Sequence, residues 1–393
     1  MRILALGLGL LAATLSGTPA QAQAAKLLGA GAESTDTAAV SGGIVFSHDA
    51  WADILKKAKA ENKMIFMDCY TVWCGPCKQL ARTVFKDPQV GTLMNDKFIN
   101  VKVDMEKGEG IDLKNRFDVK AFPTLLFFSP SGEVEHRIVG SVPSAEFIRE
   151  ANVALSGKGL NAYLKKYRAG VRDTAFLREY IQLTGASYLK EEAGAATKEY
   201  FDVVGMPHML TANGWKLFKD NINDPYTPLF LYFWNNRPLF VEKVGQKEVS
   251  QKTNMVWNTH ARTFTKRVGD KLTFDEKGFN SYLEYMKKVE VRNIEDIKFY
   301  TLLDVYGSLN SWGRFADLMD ERIRTKNDIG LMMLYNYPMR LEQKCADASL
   351  RERASKWVDE GIRQASGKES AKMWFDSLTL LKEKLSKPLE SKK

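Results

Sequence analysis

Two cysteines, Cys74 and Cys77, stand where a strand-like run gives way to a helix-like one, within Trp73-Cys74-Gly75-Pro76-Cys77-Lys78. A thiol at the first turn of a helix faces free N–H groups and the positive end of the macrodipole, and both stabilise its thiolate. Lowering the thiol pKa toward about 7 makes Cys74 a nucleophile at ambient pH. Cys77 lies one helical turn further on, within reach of a disulfide formed on Cys74. Gly75 and Pro76 suit the tight start of the helix, because the N–H that Pro76 lacks has no helical partner there. The spacing therefore points to dithiol–disulfide exchange. The same pair could supply half of a tetrahedral metal site. Cys69, His48, His136, His208 and His260 stand at no ligand spacing from it, so no metal is expected. Neither a Ser-His-Asp nor a Cys-His hydrolase pattern stands out, and no Gly-rich phosphate loop is present.

The elements that must position this pair read as alternating strands and helices. A short strand is expected at Ile44–Phe46. A helix follows over Asp49–Glu61, capped by Ser47 or Asp49, and then a buried strand over Met64–Tyr70. Helices are expected from Cys74 to Phe85 and from Pro88 to Asn95, and a strand over Phe98–Asp104. A helix near Ile111–Phe117 precedes strands Thr124–Phe128 and Glu133–Val139, joined by the turn Ser129-Pro130-Ser131-Gly132. Ser144 is expected to cap a last helix reaching Leu155. This order predicts an α/β domain over residues 44–157, a mixed sheet flanked by helices. Residues 158–393 change to helical periodicity with aromatic anchors, such as Ala193, Ala196, Tyr200 and Phe299, Leu302, Leu303, Tyr306. A mostly α-helical domain of solenoid-like helix pairs is expected there, with Ser349 and Glu352 as a capping box opening one helix.

The 393 residues exceed one ordinary domain, and 45% apolar with 27% charged residues is a globular composition. Four cysteines exclude a disulfide-dense scaffold. Arg2, the apolar stretch Ile3–Leu15 and the small-residue pattern Ala20-Gln21-Ala22 read as a signal peptide over residues 1–24. A flexible linker is expected at 25–43. The apolar stretch is too short to span a bilayer, and no transmembrane segment is expected in the mature chain. The protein is therefore expected to be exported, to the periplasm or beyond. Acids and bases balance before residue 158, so the net charge of +9 falls wholly in the helical half. No dense basic run or basic-aromatic motif accompanies it, and no nucleic-acid partner is expected.

Residues 44–156 resemble the thioredoxin family. Trp-Cys-Gly-Pro-Cys-Lys is that family's active-site hexapeptide. Asp68, six residues before Cys74, matches its buried Asp, and Asp104 fits the end of the central strand. Ala121-Phe122-Pro123-Thr124-Leu125 resembles the segment that holds its cis-proline, and Gly140 matches its glycine near the substrate groove. The resemblance implies roles. Cys74 attacks, Cys77 resolves the mixed disulfide, and buried Asp68 assists proton transfer at Cys77. Trp73, Gly75, Pro76, Phe122, Pro123, Thr124 and Gly140 form the groove, with Pro123 in cis. No cofactor is implied beyond the redox-active disulfide Cys74–Cys77. Family members often pair the buried Asp with a Lys on the central strand. Counting back from Asp104 places Asn100 there, and Lys102 is expected to substitute only in part. Cys69 and Cys345 are expected to be small buried hydrophobes.

Gly-Pro between the cysteines is what reducing thioredoxins carry, which implies a couple nearer about −270 mV than the about −120 mV of a strong oxidant. The resemblance thus implies reduction of protein disulfides, with a membrane thiol reductase as electron donor. Disulfide oxidation or isomerisation is the alternative within the same chemistry. A scaffold that only presents the groove is the alternative outside it.

Overall fold

The structure is a computed structural model that describes residues 42–269, 271–325 and 329–387. The expected leader 1–24 and most of the linker 25–43 lie outside the described residues. Helix α1 (Trp51–Glu61) opens the α/β region and strand β1 (Met64–Tyr70) follows. Next come α2 (Gly75–Arg82), α3 (Pro88–Lys97), β2 (Phe98–Asp104), α4 (Gly110–Arg116), β3 (Thr124–Phe128), β4 (Val134–Val139) and α5 (Ser144–Leu155). The sheet order is β2-β1-β3-β4. β1 runs parallel to β2 and antiparallel to β3, and β4 runs antiparallel to β3. This is the expected mixed sheet.

Strand alternation explains the two layers of core. Ile65, Met67 and Cys69 point to one face and pack with Trp51 and Ile54 of α1 and Leu113 of α4. Phe66 points to the other face with Leu80 of α2, Met94 of α3 and Phe147 of α5. Asp68 shares that second face, so it lies in the layer beneath α2.

Several local expectations are corrected. Ile44–Phe46 is not a strand; the next residue, Ser47, makes an isolated parallel bridge to Val101. α2 stops at Arg82 and a 3-10 turn, Val84–Lys86, follows. Neither Ser47 nor Asp49 caps α1. The N-cap is Ala50, and the Glu109 carboxylate accepts from the Trp51 N–H at 3.0 Å. Ser144 is the first residue of α5 rather than its cap.

The second region contains α6 (Leu160–Arg168), α7 (Thr174–Ala186), α8 (Lys190–Val204), α9 (Ala212–Asn221), α10 (Pro228–Asn235), α11 (Arg237–Val244) and α12 (Gln246–Arg262). A hairpin of β5 (Thr265–Val268) and β6 (Lys271–Phe274) interrupts the helices; the periodicity reading did not anticipate it. α13 (Glu276–Lys288), α14 (Ile294–Ser308), α15 (Trp312–Thr325), α16 (Leu331–Lys344), α17 (Ala348–Ala365) and α18 (Lys372–Leu385) complete the region. Successive helices pack on one another, α7 on α8, α14 on α15, and α16 through α18. The cap of α17 is Asp347, whose carboxylate accepts from the Ser349 and Leu350 N–H groups, so Ser349 lies inside the helix. One continuous apolar core runs through the region, with Trp215, Phe230, Phe233, Trp234 and Trp257 at its centre.

Candidate active site

β1 ends at Tyr70, and the chain turns through Thr71 to Cys74, whose N–H donates to the Thr71 carbonyl at 3.2 Å. Cys74 is the N-cap of α2 in extended backbone conformation, and its sulfur accepts from the Cys77 N–H at 3.1 Å. A side chain at this position meets the unbonded N–H groups of the first turn. Pro76 sits within that turn, and a Cβ on Gly75 would meet nothing within 4 Å. Cys74 and Cys77 form a disulfide. Both are buried, at 2% exposed, beside Trp73, which is 64% exposed.

Two neighbours hold the indole. Trp73 Nε1 donates to Glu106 Oε2 at 2.9 Å, and the Phe122 ring meets it edge-on with centroids 6.1 Å apart. Phe122 precedes the cis peptide bond to Pro123. Thr124 Oγ1 donates back to the Ala121 carbonyl at 2.8 Å and steadies this loop. The Gly140 N–H donates to the Pro123 carbonyl at 2.9 Å. Gly140 has φ +97°, a conformation suited to glycine. The chain thus brings Trp73, Phe122, Pro123 and Gly140 together at the end of the sheet where α2 begins.

Beneath α2, Asp68 is wholly buried. Lys102 Nζ bonds its Oδ2 at 2.7 Å, while Oδ1 has no partner among the described residues. Burial raises the carboxyl pKa, and the Lys102 charge and hydrogen bond pull it back only in part. The pairing corrects the reading of Lys102 as a partial substitute for a lysine missing at Asn100. The β1–β2 register sets Asp68 directly beside Lys102. Asn100 instead donates to the Met94 carbonyl at 3.2 Å and to Asn95 Oδ1 at 3.2 Å. The Lys102 ammonium also lies 4.5 Å from the Tyr70 ring centroid, 5.6 Å from that of Phe85 and 5.8 Å from that of Phe46. Such rings stabilise a cation electrostatically.

Sequence reasoning missed Glu106 and these rings. Glu106 follows Asp104 by two residues, but nothing local shows that its carboxylate reaches back to Trp73. Cys69 points into the opposite core layer, where burial pushes its thiol pKa well up. Cys345 is free and buried in the helical region.

The family model of the thioredoxin-like domain matches residues 51–154. Thioredoxin H4 of Arabidopsis thaliana is 35% identical over 106 residues, 26% of this chain and 84% of that protein. Thiol:disulfide interchange protein DsbD of Pseudomonas fluorescens is 29% identical over 117 residues, 27% of this chain; the chain spans 20% of that protein's length. The solution structure of a thioredoxin from Thermus thermophilus is 30% identical, covering 27% of this chain and 85% of that one, with a TM-score of 0.26. The thiol pair at the tip of α2 and the sequence likeness to thioredoxin H4 agree: the chain belongs to the thioredoxin family of thiol–disulfide oxidoreductases.

Proposed function

We propose that the protein is an exported reductase of protein disulfides, working by dithiol–disulfide exchange through Cys74 and Cys77. The observation that carries this is the placement of Cys74 as the N-cap of α2, one turn from Cys77 and above the buried acid Asp68. In the reduced protein the Cys74 thiolate attacks one sulfur of the client disulfide and displaces the other as thiolate. The Cys77 thiol loses its proton toward Asp68, whose raised pKa suits it to receive one. The Cys77 thiolate then attacks Cys74 Sγ. The client leaves with two thiols, and the protein keeps the Cys74–Cys77 disulfide. Two electrons and two protons from a donor dithiol, assigned to a membrane thiol reductase, restore the reduced pair. No bound cofactor enters this cycle.

The Gly-Pro pair between the cysteines supports the reducing direction, and the leader-like sequence pattern of residues 1–24 supports export to the periplasm. Among the described residues no helix is long and apolar enough to cross a membrane. We assign the helical region a docking role that keeps clients or the donor near the disulfide.

The test is Cys77→Ala, which removes the resolving thiol. This variant is expected to accumulate a mixed disulfide on Cys74 with clients, detected by non-reducing electrophoresis and mass spectrometry; absence of any such adduct refutes the exchange cycle. A redox titration fixes the direction, since a midpoint well above about −200 mV would make the protein an oxidase or isomerase instead.

A further inference from the structure

β4 is the outermost strand on its side of the sheet. It pairs Ile138 with Leu125 and Val139 with Thr124, and the Gly140 N–H donates to the Pro123 carbonyl. In an antiparallel ladder, residues two apart turn their backbone groups the same way. Gly140, Ile138 and His136 therefore face β3, while Arg137 and Val139 face outward. Neither the N–H nor the C=O of these two residues has a partner among the described residues.

The start of α6 covers only the first part of this edge. The Leu160 N–H donates to His136 Nδ1 at 3.3 Å, and Asn161 Nδ2 donates to Glu135 Oε2 at 3.1 Å. A Cβ on Gly159 would stand 2.7 Å from the Glu135 carbonyl oxygen. Beyond that point the edge borders a cleft of ≈ 530 Å³ between β4 and α5 on one side and α7 on the other. Leu183 and Ser187 stand in the far wall. Ser187 is 1% exposed, and its hydroxyl also lacks a partner. The rim carries both signs, Glu146 and Glu179 against Lys158. A cleft of this kind reads main chain rather than charge.

We propose that the open edge of β4 is a strand-addition site for an extended segment of the client polypeptide. The inference rests on the exchange reaction proposed above and names how its substrate is held. An exposed edge is a template for another extended chain, and main-chain hydrogen bonds supply the affinity. A segment laid along Arg137 and Val139 runs off the strand at Gly140, which is bonded to the Pro123 carbonyl. Its continuation therefore arrives at the loop where Phe122 meets Trp73, beside the disulfide. The site selects unfolded or extended clients over small disulfides.

The test uses the full chain and two probes, unfolded carboxymethylated insulin chain, which has no free thiol or disulfide, and dithiobis(nitrobenzoate) as a small disulfide. Carboxymethylated chain is expected to slow hydrogen exchange of the Arg137 and Val139 amides. Val139→Pro deletes one outward N–H and no bond to β3, as proline on an edge strand allows. It is expected to raise KM for insulin reduction by about tenfold, the loss of roughly one such bond, and to leave turnover of the small disulfide unchanged. Leu183→Trp, which fills the cleft from α7, is expected to do the same without altering β4. Unchanged KM in both variants together with no protection of the two amides overturns the proposal. Protection of those amides that rises with protein concentration in the absence of probe also overturns it, because a second copy of this chain is then the occupant. Protection by the carboxymethylated chain without reduction of either disulfide keeps the binding site and removes the exchange reaction.

Discussion

Replacing Asp68 by Asn removes a charge that the fold buries completely and satisfies on one oxygen only. Two effects oppose each other. Burying an ionised carboxylate with one oxygen unpartnered costs free energy, and Asn keeps nearly the same shape without that charge. Against it stands the lost pair with Lys102, whose side chain is 25% exposed and which, as a partly hydrated partner, takes back about 0–1 kcal/mol. Burial is the larger influence on the carboxyl, since its pKa ends above 3.8 despite the lysine. Asp68→Asn is therefore expected to stabilise the α/β region at pH 7 by about 1–3 kcal/mol, the penalty of an unsatisfied buried polar group. The pH dependence follows from the direction of the shift. A carboxyl with a raised folded pKa favours the fold fully below its unfolded value, and that contribution is lost as pH rises through the folded value. Asn does not titrate. The gap between variant and wild type should thus be near zero at about pH 3.5 and widen upward to a plateau. Hydrogen exchange of the β1 amides across pH 4 to 8 (nominal buffer settings, ~4 units wide) reads this region separately from the helices. A variant less stable than wild type at pH 7, or a gap that does not change with pH, refutes the reasoning.

Gly140→Ala is expected to cost about 1–3 kcal/mol, because φ +97° strains any side chain although no atom lies within 4 Å of the new Cβ; denaturant unfolding followed by β4 exchange measures it. Lys252→Met is expected to destabilise the helical region by about 1–3 kcal/mol. Its amine bonds the Lys219 carbonyl at 2.8 Å, the Ile222 carbonyl and Asn223 Oδ1 at 3.0 Å, and the variant leaves these oxygens unpartnered. Burial pushes the Lys252 pKa down to about 7, so the wild type's advantage should grow as pH rises from there toward the unfolded lysine value, as urea titrations at several pH values would show. Burial pushes the thiol pKa of Cys69 and Cys345 up, whereas the N-cap position of Cys74 favours its thiolate, so iodoacetamide should label Cys74 well ahead of either in the reduced native protein; mass spectrometry that finds Cys69 modified without unfolding contradicts its placement.

The thiol pair was legible because its chemistry is local: one strand end, one tight turn and one helix start within a few residues. The order of strands and helices was legible for the same reason, since each declares its own period. What the sequence concealed depends on distant pairing. Lys102 meets Asp68 only through the β1–β2 register, and counting back from Asp104 chose Asn100 instead. Glu109 caps α1 from 58 residues further along the chain. Ser349 resembled a cap, but Asp347 lies two residues earlier and its carboxylate takes the Ser349 and Leu350 N–H groups, which starts the helix before Ser349. The β5–β6 hairpin is short and set among long helices, so its alternation was lost in their stronger period.

Phe46 precedes the stretch that matches the family, yet its ring stands 5.8 Å from the Lys102 ammonium. Anyone trimming the molecule by homology alone would begin at Trp51 and discard it. Such a fragment would also lose the Ser47 bridge to Val101 and the bond from Ile44 to Phe85. Its acid–base couple would then sit in a wetter setting, and redox values taken on the excised piece would misreport those of the intact chain.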